Sequence, residues 1–168
     1  MAADKTAILD VNVNVRSGQF TKLGGGTLIV GDNPAVGAKI NANVLVQEGT
    51  FGGTGLVLGN LINQATVAPG NSTGTLHVGG TYKQTKSGRL QVEIASPDNF
   101  DRQDIGNKAK LNGRLDVTLL AGYHPKKGQK FTILSAKGGV SGEFSKVSAP
   151  VWNWLTLRPF YDHETACI

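Results

Sequence analysis

A short phrase of glycine, any residue and then Phe, Leu or Tyr recurs along this chain of 168 residues. Its copies begin at Gly18, Gly26, Gly49, Gly74, Gly80, Gly88, Gly113 and Gly142. The steps from Gly26 to Gly49, from Gly49 to Gly74 and from Gly88 to Gly113 are nearly equal in length. Each step is as long as one coil of a solenoid. The phrase therefore predicts a column of stacked coils.

Apolar residues alternate with polar or small residues in several short segments, which is the pattern of half-buried β-strands. The alternating residues are Val11, Val13 and Val15, then Val44 and Val46, then Leu56 and Leu58, then Leu76 and Val78. Adjacent glycines lie between such segments, and they can turn the chain sharply because they lack a Cβ atom. No segment keeps a 3.6-residue period, so we expect an all-β chain with almost no helix.

The composition excludes several other architectures. The 23 glycines follow no three-residue period, and there are only 6 prolines, which excludes collagen. Cys167 is the only cysteine, which excludes a disulfide scaffold. No apolar run approaches the ~18 residues that would span a bilayer. A repetitive β fold is the architecture that these numbers favour.

From about Thr81 the pattern changes, because charges become more frequent and the predicted strands, at residues 90–94, 114–120 and 130–134, become longer. Asn112 and Gly113 form a tight-turn signal between two apolar runs. We interpret this half as antiparallel hairpins that cap the solenoid, since an open last coil would expose unpaired backbone groups. The predicted organisation is one continuous domain, with coils over residues 1–80 and C-terminal coils plus a hairpin cap over residues 81–168.

A first parallel coil has no neighbour to hydrogen-bond with, whereas hairpins pair within themselves and can fold first. A cap that folds first would offer the other coils an edge to pair with. The inward apolar residues of the predicted cap are its candidate functional residues, and a purely structural core is an equally good interpretation of them. They are Tyr82, Leu90, Val92, Ile94, Leu115, Val117, Leu119, Phe131, Ile133 and Phe144.

Part of the chain, about residues 42–148, resembles the C-terminal passenger region of Gram-negative autotransporters, the type V secretion family. The most specific part of the resemblance is Ala-Pro-Gly-Asn-Ser at residues 68–72 followed by Gly-Thr-Leu at residues 74–76. Further similar segments lie at residues 53–56, 111–119 and 131–134. No segment has the pattern of a translocating barrel, and the Gly-Asp-Ser-Gly motif of protease passengers is absent from the sequence.

The resemblance implies a right-handed parallel β-helix with an autochaperone region at its C-terminal end, which starts the folding of the passenger. It also implies a location on the bacterial cell surface or in the medium. The implied partners are the N-terminal coils of the same passenger and the adjoining outer-membrane β-barrel. The expected function is a folding template for outer-membrane secretion. The alternative is an adhesin or virulence segment whose solenoid side binds a host surface or cytoskeletal protein, a glycan or another passenger.

No enzymatic site, cofactor or metal site is predicted. His77, His124 and His163 lack neighbours at zinc-ligand spacing. Asp98, Asp101 and Asp104 lie close together but lack the glycine and closing glutamate of a calcium loop, and we interpret them as a solvated turn between strands. A polysaccharide lyase is a third, weaker hypothesis, because its clustered acids and bases are not visible in the sequence.

Residues 81–168 hold 13 basic and 8 acidic side chains, while residues 1–80 hold 4 of each sign. We interpret the excess as a solvated positive surface rather than as a nucleic-acid site. Trp152 and Trp154 are two residues apart and so share one strand face. A packed end strand is the favoured interpretation of this pair, and an exposed aromatic interface is the alternative.

Overall fold

The structure, a computed structural model that describes residues 5–32, 37–152 and 155–168, is built from β-strands, and these ranges contain no helix. The strands are β1 (Thr6–Leu9), β2 (Val13–Lys22), β3 (Thr27–Val30), β4 (Lys39–Val46), β5 (Thr50–Gly53), β6 (Leu56–Val57), β7 (Leu61–Asn63), β8 (Thr66–Pro69), β9 (Thr75–Val78), β10 (Tyr82–Gln84), β11 (Arg89–Ile94), β12 (Arg102–Ile105), β13 (Ala109–Leu111), β14 (Arg114–Leu119), β15 (Thr132–Ala136), β16 (Val140–Gly142), β17 (Lys146–Ser148), β18 (Val151–Trp152), β19 (Leu155–Thr156), β20 (Phe160–Tyr161) and β21 (Thr165–Cys167).

The strands form the three faces of a parallel β-helix. Face A is the seven-stranded parallel sheet β1-β3-β5-β8-β11-β14-β17. The twelve-stranded sheet divides at β4, whose first residues pair with β6 and whose last residues pair with β7. Face B1 therefore consists of the starts of β2 and β4 with β6, β9, β12 and β15, and face B2 of the ends of β2 and β4 with β7, β10, β13 and β16. The predicted fold class, a parallel β-helix, is confirmed.

The recurring glycine phrase lies at the start of a strand in six of its eight copies, on any of the three faces, whereas Gly18 lies within β2 and Gly142 ends β16. Its middle residue points outward and its last residue points into the column, as the alternating burial of β9 and β10 shows. On face A the outward residues stack in register, with Thr27 beside Thr50 and Arg89 beside Arg114. The full face A stack is Thr6, Thr27, Thr50, Thr66, Arg89, Arg114 and Lys146.

This stack corrects the predicted coil length. The steps from Gly26 to Gly49 and from Gly88 to Gly113 are true coils, because these glycines precede paired strands of face A. The step from Gly49 to Gly74 is not one coil, since Gly74 precedes β9 on face B1. The coil that follows Thr50 already returns to face A at Thr66, so it is much shorter than the predicted repeat.

Two of the predicted alternations also differ from the structure. Leu58 is exposed and Leu56 is half-buried, because Val57 is the residue of β6 that points into the column. Val11 lies outside the strands and is exposed. The β6 segment alternates one residue out of step with the prediction, and such a shift exchanges the inner and outer sets. In β2, Val13 and Val15 are half-buried and Asn14 is exposed, as predicted.

Close stacking of coils demands glycine at some corners. Gly53 has a φ of +105°, a conformation that residues with a Cβ rarely adopt. A Cβ atom at Gly53 would also overlap the backbone of Val30 in the preceding coil. The corner can form at this spacing only because the residue has no side chain.

Parallel coils continue further towards the C-terminus than predicted. β13 and β14, on either side of Asn112 and Gly113, lie on different faces and do not pair with each other. The prediction of a hairpin at Asn112 and Gly113 is wrong, since both strands pair with parallel strands of neighbouring coils. The antiparallel strand pairs of the described residues are β15 with β21, β20 with β21 and β18 with β19.

Candidate functional site

Six of the ten predicted inward residues of the C-terminal half lie on β11 and β14, neighbouring strands of face A, and the other four lie on or beside β10, β15 and β16. β11 and β14 pair over six positions, which places Leu90 beside Leu115 and Val92 beside Val117. Nine of the ten residues are buried, and Leu119 is half-buried against the same core. The same core also contains side chains of the N-terminal coils, such as Leu28 and Phe51. All ten residues therefore belong to or pack against the core, and their role in folding stays a prediction.

Aromatic side chains close the C-terminal end of this core. Phe131 is fully buried, and its ring meets Phe100 edge-on with centroids 5.4 Å apart. The Tyr123 ring meets Phe131 at 6.3 Å, again edge-on. Edge-to-face pairs of this kind add stabilisation beyond the area that they bury.

The last residues of the chain form β21, which lies between β15 and β20 in the cap. The backbone N–H of Phe131 donates to the carbonyl of Ile168, and the N–H of Ile168 donates to the carbonyl of Phe131, both at 2.9 Å. Ala166, Cys167 and Ile168 are buried. The antiparallel strand β21 therefore covers β15, which would otherwise be the open edge of face B1.

A local turn holds β21 against β20. Asp162 accepts hydrogen bonds from the hydroxyl of Thr165 and from the backbone N–H groups of Glu164 and Thr165. The hydroxyl bond from Thr165, followed by the backbone bonds, lowers the pKa of Asp162 below its ordinary value. The turn is a contact between residues three apart, so it forms without help from distant coils.

A second contact joins the cap to the coil that precedes it. The hydroxyl of Tyr161 accepts a hydrogen bond from the backbone N–H of Phe144 at 3.1 Å. The two rings lie 6.2 Å apart. Phe144, which the sequence predicts as core, is thus both buried and tied to the cap.

A polar network inside the column was not visible in the sequence. Gln84 is buried, and its amide donates to the carbonyls of Gly88, Asn112 and Arg114, at 2.6 Å in the shortest case. The hydroxyl of Tyr82 donates to Gln84 Oε1 at 2.7 Å, and burial raises the pKa of Tyr82. Asn63 joins the network through bonds to Tyr82 and to the carbonyl of Arg89. The network ties three consecutive coils together at one corner.

Asp101 is buried, which overturns the predicted solvated turn at this residue. Its carboxylate accepts the N–H groups of Gly74 at 2.9 Å and of Glu93 at 2.8 Å. Desolvation by burial raises the pKa of Asp101 to about 8, although the two backbone hydrogen bonds act in the opposite direction. Asp98 is exposed, as predicted. Asp101 joins Gly74, at the end of the motif that carries the family resemblance, to β11 of the following coil.

The motif at residues 68–72 lines a cleft of about 540 Å³ on the outside of face A. Thr50, Gln91 and Thr118 of neighbouring coils form part of its lining. Asp101 lies at its wall. The cleft therefore spans several coils at the position where the loop before β9 leaves face A.

The predicted tryptophan pair lies outside the described residues, Trp154 entirely and Trp152 in its side chain. Its two interpretations stay predictions. In the described part of the chain no group of three His, Cys, Asp or Glu side chains is placed to hold a metal ion. The same residues include no helix that is long and apolar enough to cross a membrane.

Together, stacked parallel coils and an antiparallel C-terminal cap define the class of this chain as a capped β-solenoid. No family model matches it. The chain is 30% identical over 154 residues to a protein named "Extracellular serine protease" from Serratia marcescens. The match covers 78% of this chain and 15% of that protein, so the chain spans only a small part of its relative. This match is consistent with an autotransporter passenger and with a location outside the cell.

Proposed function

We propose that this chain is part of an autotransporter passenger and acts, without enzymatic activity, as the folding template of that passenger. The C-terminal coils and the cap fold first and then offer an edge to the N-terminal coils. Export and folding at the bacterial surface are coupled in this way, because a folded column cannot slide back. The proposed partners are the N-terminal coils of the same passenger and the adjoining outer-membrane β-barrel.

The observation that carries the proposal is the difference between the two ends of the column. At the C-terminal end, β21 pairs with β15 and its apolar residues are buried. At the N-terminal end, β1 pairs in parallel with β3, and Thr6 lies beside Thr27, a full coil away in sequence. β21 also pairs with β20 across a short turn, so the C-terminal end contains a local strand pair, whereas β1 pairs only with the next coil.

The order of folding follows from how each part obtains its hydrogen bonds. β20 and β21 pair across the short Asp162 turn, which costs little loop-closure entropy. The parallel strands β11 and β14 need partners a full coil away in sequence, as the pairing of Arg89 with Arg114 shows. Once the cap and these two strands are assembled, each further coil adds to an existing edge, as in other repeat proteins.

The test compares two leucines that are both fully buried, Leu115 in β14 and Leu61 in β7. Leu115→Ala and Leu61→Ala should each cost about 2–5 kcal/mol of unfolding free energy. The template proposal expects Leu115→Ala mainly to slow refolding and Leu61→Ala mainly to speed unfolding. Stopped-flow refolding and unfolding of the chain in urea measure both rates.

A second measurement addresses secretion. Each variant is placed in an autotransporter that carries this chain, and the passenger that reaches the cell surface is quantified. Leu115→Ala should reduce surface passenger more than Leu61→Ala does at equal loss of stability. Equal effects on refolding rate and on secretion would mean that the C-terminal residues are core and nothing more.

A further inference from the structure

Face B2 carries a pair of lysines that stack directly on each other. Lys83 of β10 pairs in register with Lys110 of β13, and both side chains are exposed. Lys108, also exposed, lies two residues before Lys110 and so projects to the same side. Neighbouring strands are about 4.8 Å apart, so these positive charges are held close together. We name Lys83, Lys108 and Lys110 the lysine ladder.

Face A carries another pair of like charges, which shares a carboxylate. Arg89 and Arg114 stack in register on face A, and both contact the carboxylate of Asp116. The Nε of Arg89 lies 3.2 Å from Asp116. No carboxylate of the described residues forms an ion pair with Lys83, Lys108 or Lys110. Because like charges directly opposite each other destabilise a sheet, the lysine ladder has a cost that the arginine pair avoids.

The surroundings of the lysine ladder restrict the kind of anion that would offset this cost. Ser141 stacks beside Lys110, and Thr81 precedes β10 on the side of Lys83, so hydroxyl groups flank the charges. The large exposed apolar residues of the described chain, among them Leu58 and Phe160, lie on other strands. Ile62 and Leu45 continue the outward stack beyond Lys83, but both are half-buried, so they present little apolar surface to a lipid. None of the residues in register with Lys83 and Lys110 has an aromatic ring that could stack on a nucleic-acid base.

We propose that the lysine ladder binds a linear anionic polysaccharide that lies along the column. Its sulfate or carboxylate groups would follow the stacked ammonium groups, and its hydroxyls would meet Thr81 and Ser141. Face B2 lies outside the antiparallel cap. Binding at the lysine ladder therefore goes beyond the folding-template function and is tested independently of it. The charge excess of residues 81–168 supports the approach of such a polyanion at long range.

The test uses heparin as the sulfated probe and the double variant Lys83→Gln with Lys110→Gln. The matched control is Lys126→Gln with Lys127→Gln, two exposed lysines of the turn before β15, which removes the same net charge. We expect the ladder variant to bind immobilised heparin about tenfold more weakly at 0.15 M salt, and the control to change less than about twofold. Thermal melts should give both variants a midpoint no lower than that of the unaltered chain.

Three results would overturn the proposal. Unchanged heparin binding by the ladder variant would exclude these lysines. Equal weakening by the control would mean attraction to net charge alone. Binding of the unaltered chain to phosphatidylglycerol vesicles as tightly as to heparin would favour a membrane surface instead. The refolding rate of the ladder variant should stay unchanged, which separates this test from that of the folding template.

Discussion

Gln103 is the residue at which a single substitution should make this protein more stable. It lies on β12, fully buried between Leu76 and Leu134 of the neighbouring coils. Neither its Oε1 nor its Nε2 finds a hydrogen-bond partner among the described residues. A buried amide without partners costs about 1–3 kcal/mol relative to its hydrated state.

Replacing Gln103 with leucine removes that cost and continues the apolar stack of Leu76 and Leu134. We expect Gln103→Leu to raise the free energy of unfolding by about 1–3 kcal/mol. For a chain of this size each 1 kcal/mol shifts the melting temperature by roughly 2–4 °C. Urea unfolding followed by circular dichroism measures the free energy, and calorimetry measures the melting temperature.

Gln84 supplies the matched control, because it is equally buried but fully hydrogen-bonded. Gln84→Leu would leave the carbonyls of Asn112 and Arg114 and the hydroxyl of Tyr82 without their partner. It should therefore lower the free energy of unfolding by about 1–3 kcal/mol. The two substitutions are chemically identical and have opposite expected signs. A loss of stability in Gln103→Leu would refute the reasoning, since it would mean that the Gln103 amide is satisfied inside the column.

Two further predictions concern a buried acid and a tight corner. Burial raises the pKa of Asp101 from 3.8 to about 8, so the folded state favours its protonated form. The free energy of unfolding should therefore fall as pH rises from about 4 to about 8. Urea titrations at several pH values should show a flatter slope for Asp101→Asn, and an unaltered slope would exclude Asp101 as its origin. Gly53→Ala should cost more stability than Gly122→Ala: both glycines have positive φ and the strain of about 1–2 kcal/mol that follows, but only the Cβ at Gly53 overlaps backbone. Equal losses in denaturant melts would argue that the close approach of the coils at Gly53 relaxes freely.

The sequence predicted the core of the candidate site better than its polar parts. Alternation identified Leu90, Val92 and Ile94 as inward residues, and all three are buried. Gln84 and Asp101 carry the signals of exposed residues, yet both are buried. Their partners are backbone groups of other coils, and no local pattern reports how close those groups come. The same holds for Lys83 and Lys110, which are a full coil apart in sequence and adjacent on face B2.

The β class, the glycine corners and the alternation along strands can be obtained from the sequence because each is a property of a few consecutive residues. The assignment of a strand to face A, B1 or B2 cannot be obtained from the sequence, since the same glycine phrase precedes strands on all three faces. Coil length also varies, because the step from Thr50 to Thr66 is much shorter than the step from Arg89 to Arg114. Pairing with the coil on either side selects the register, and that selection places Asn112 and Gly113 at a corner rather than in a hairpin. Local chemistry thus specifies the strands, and hydrogen bonds between distant residues specify the column.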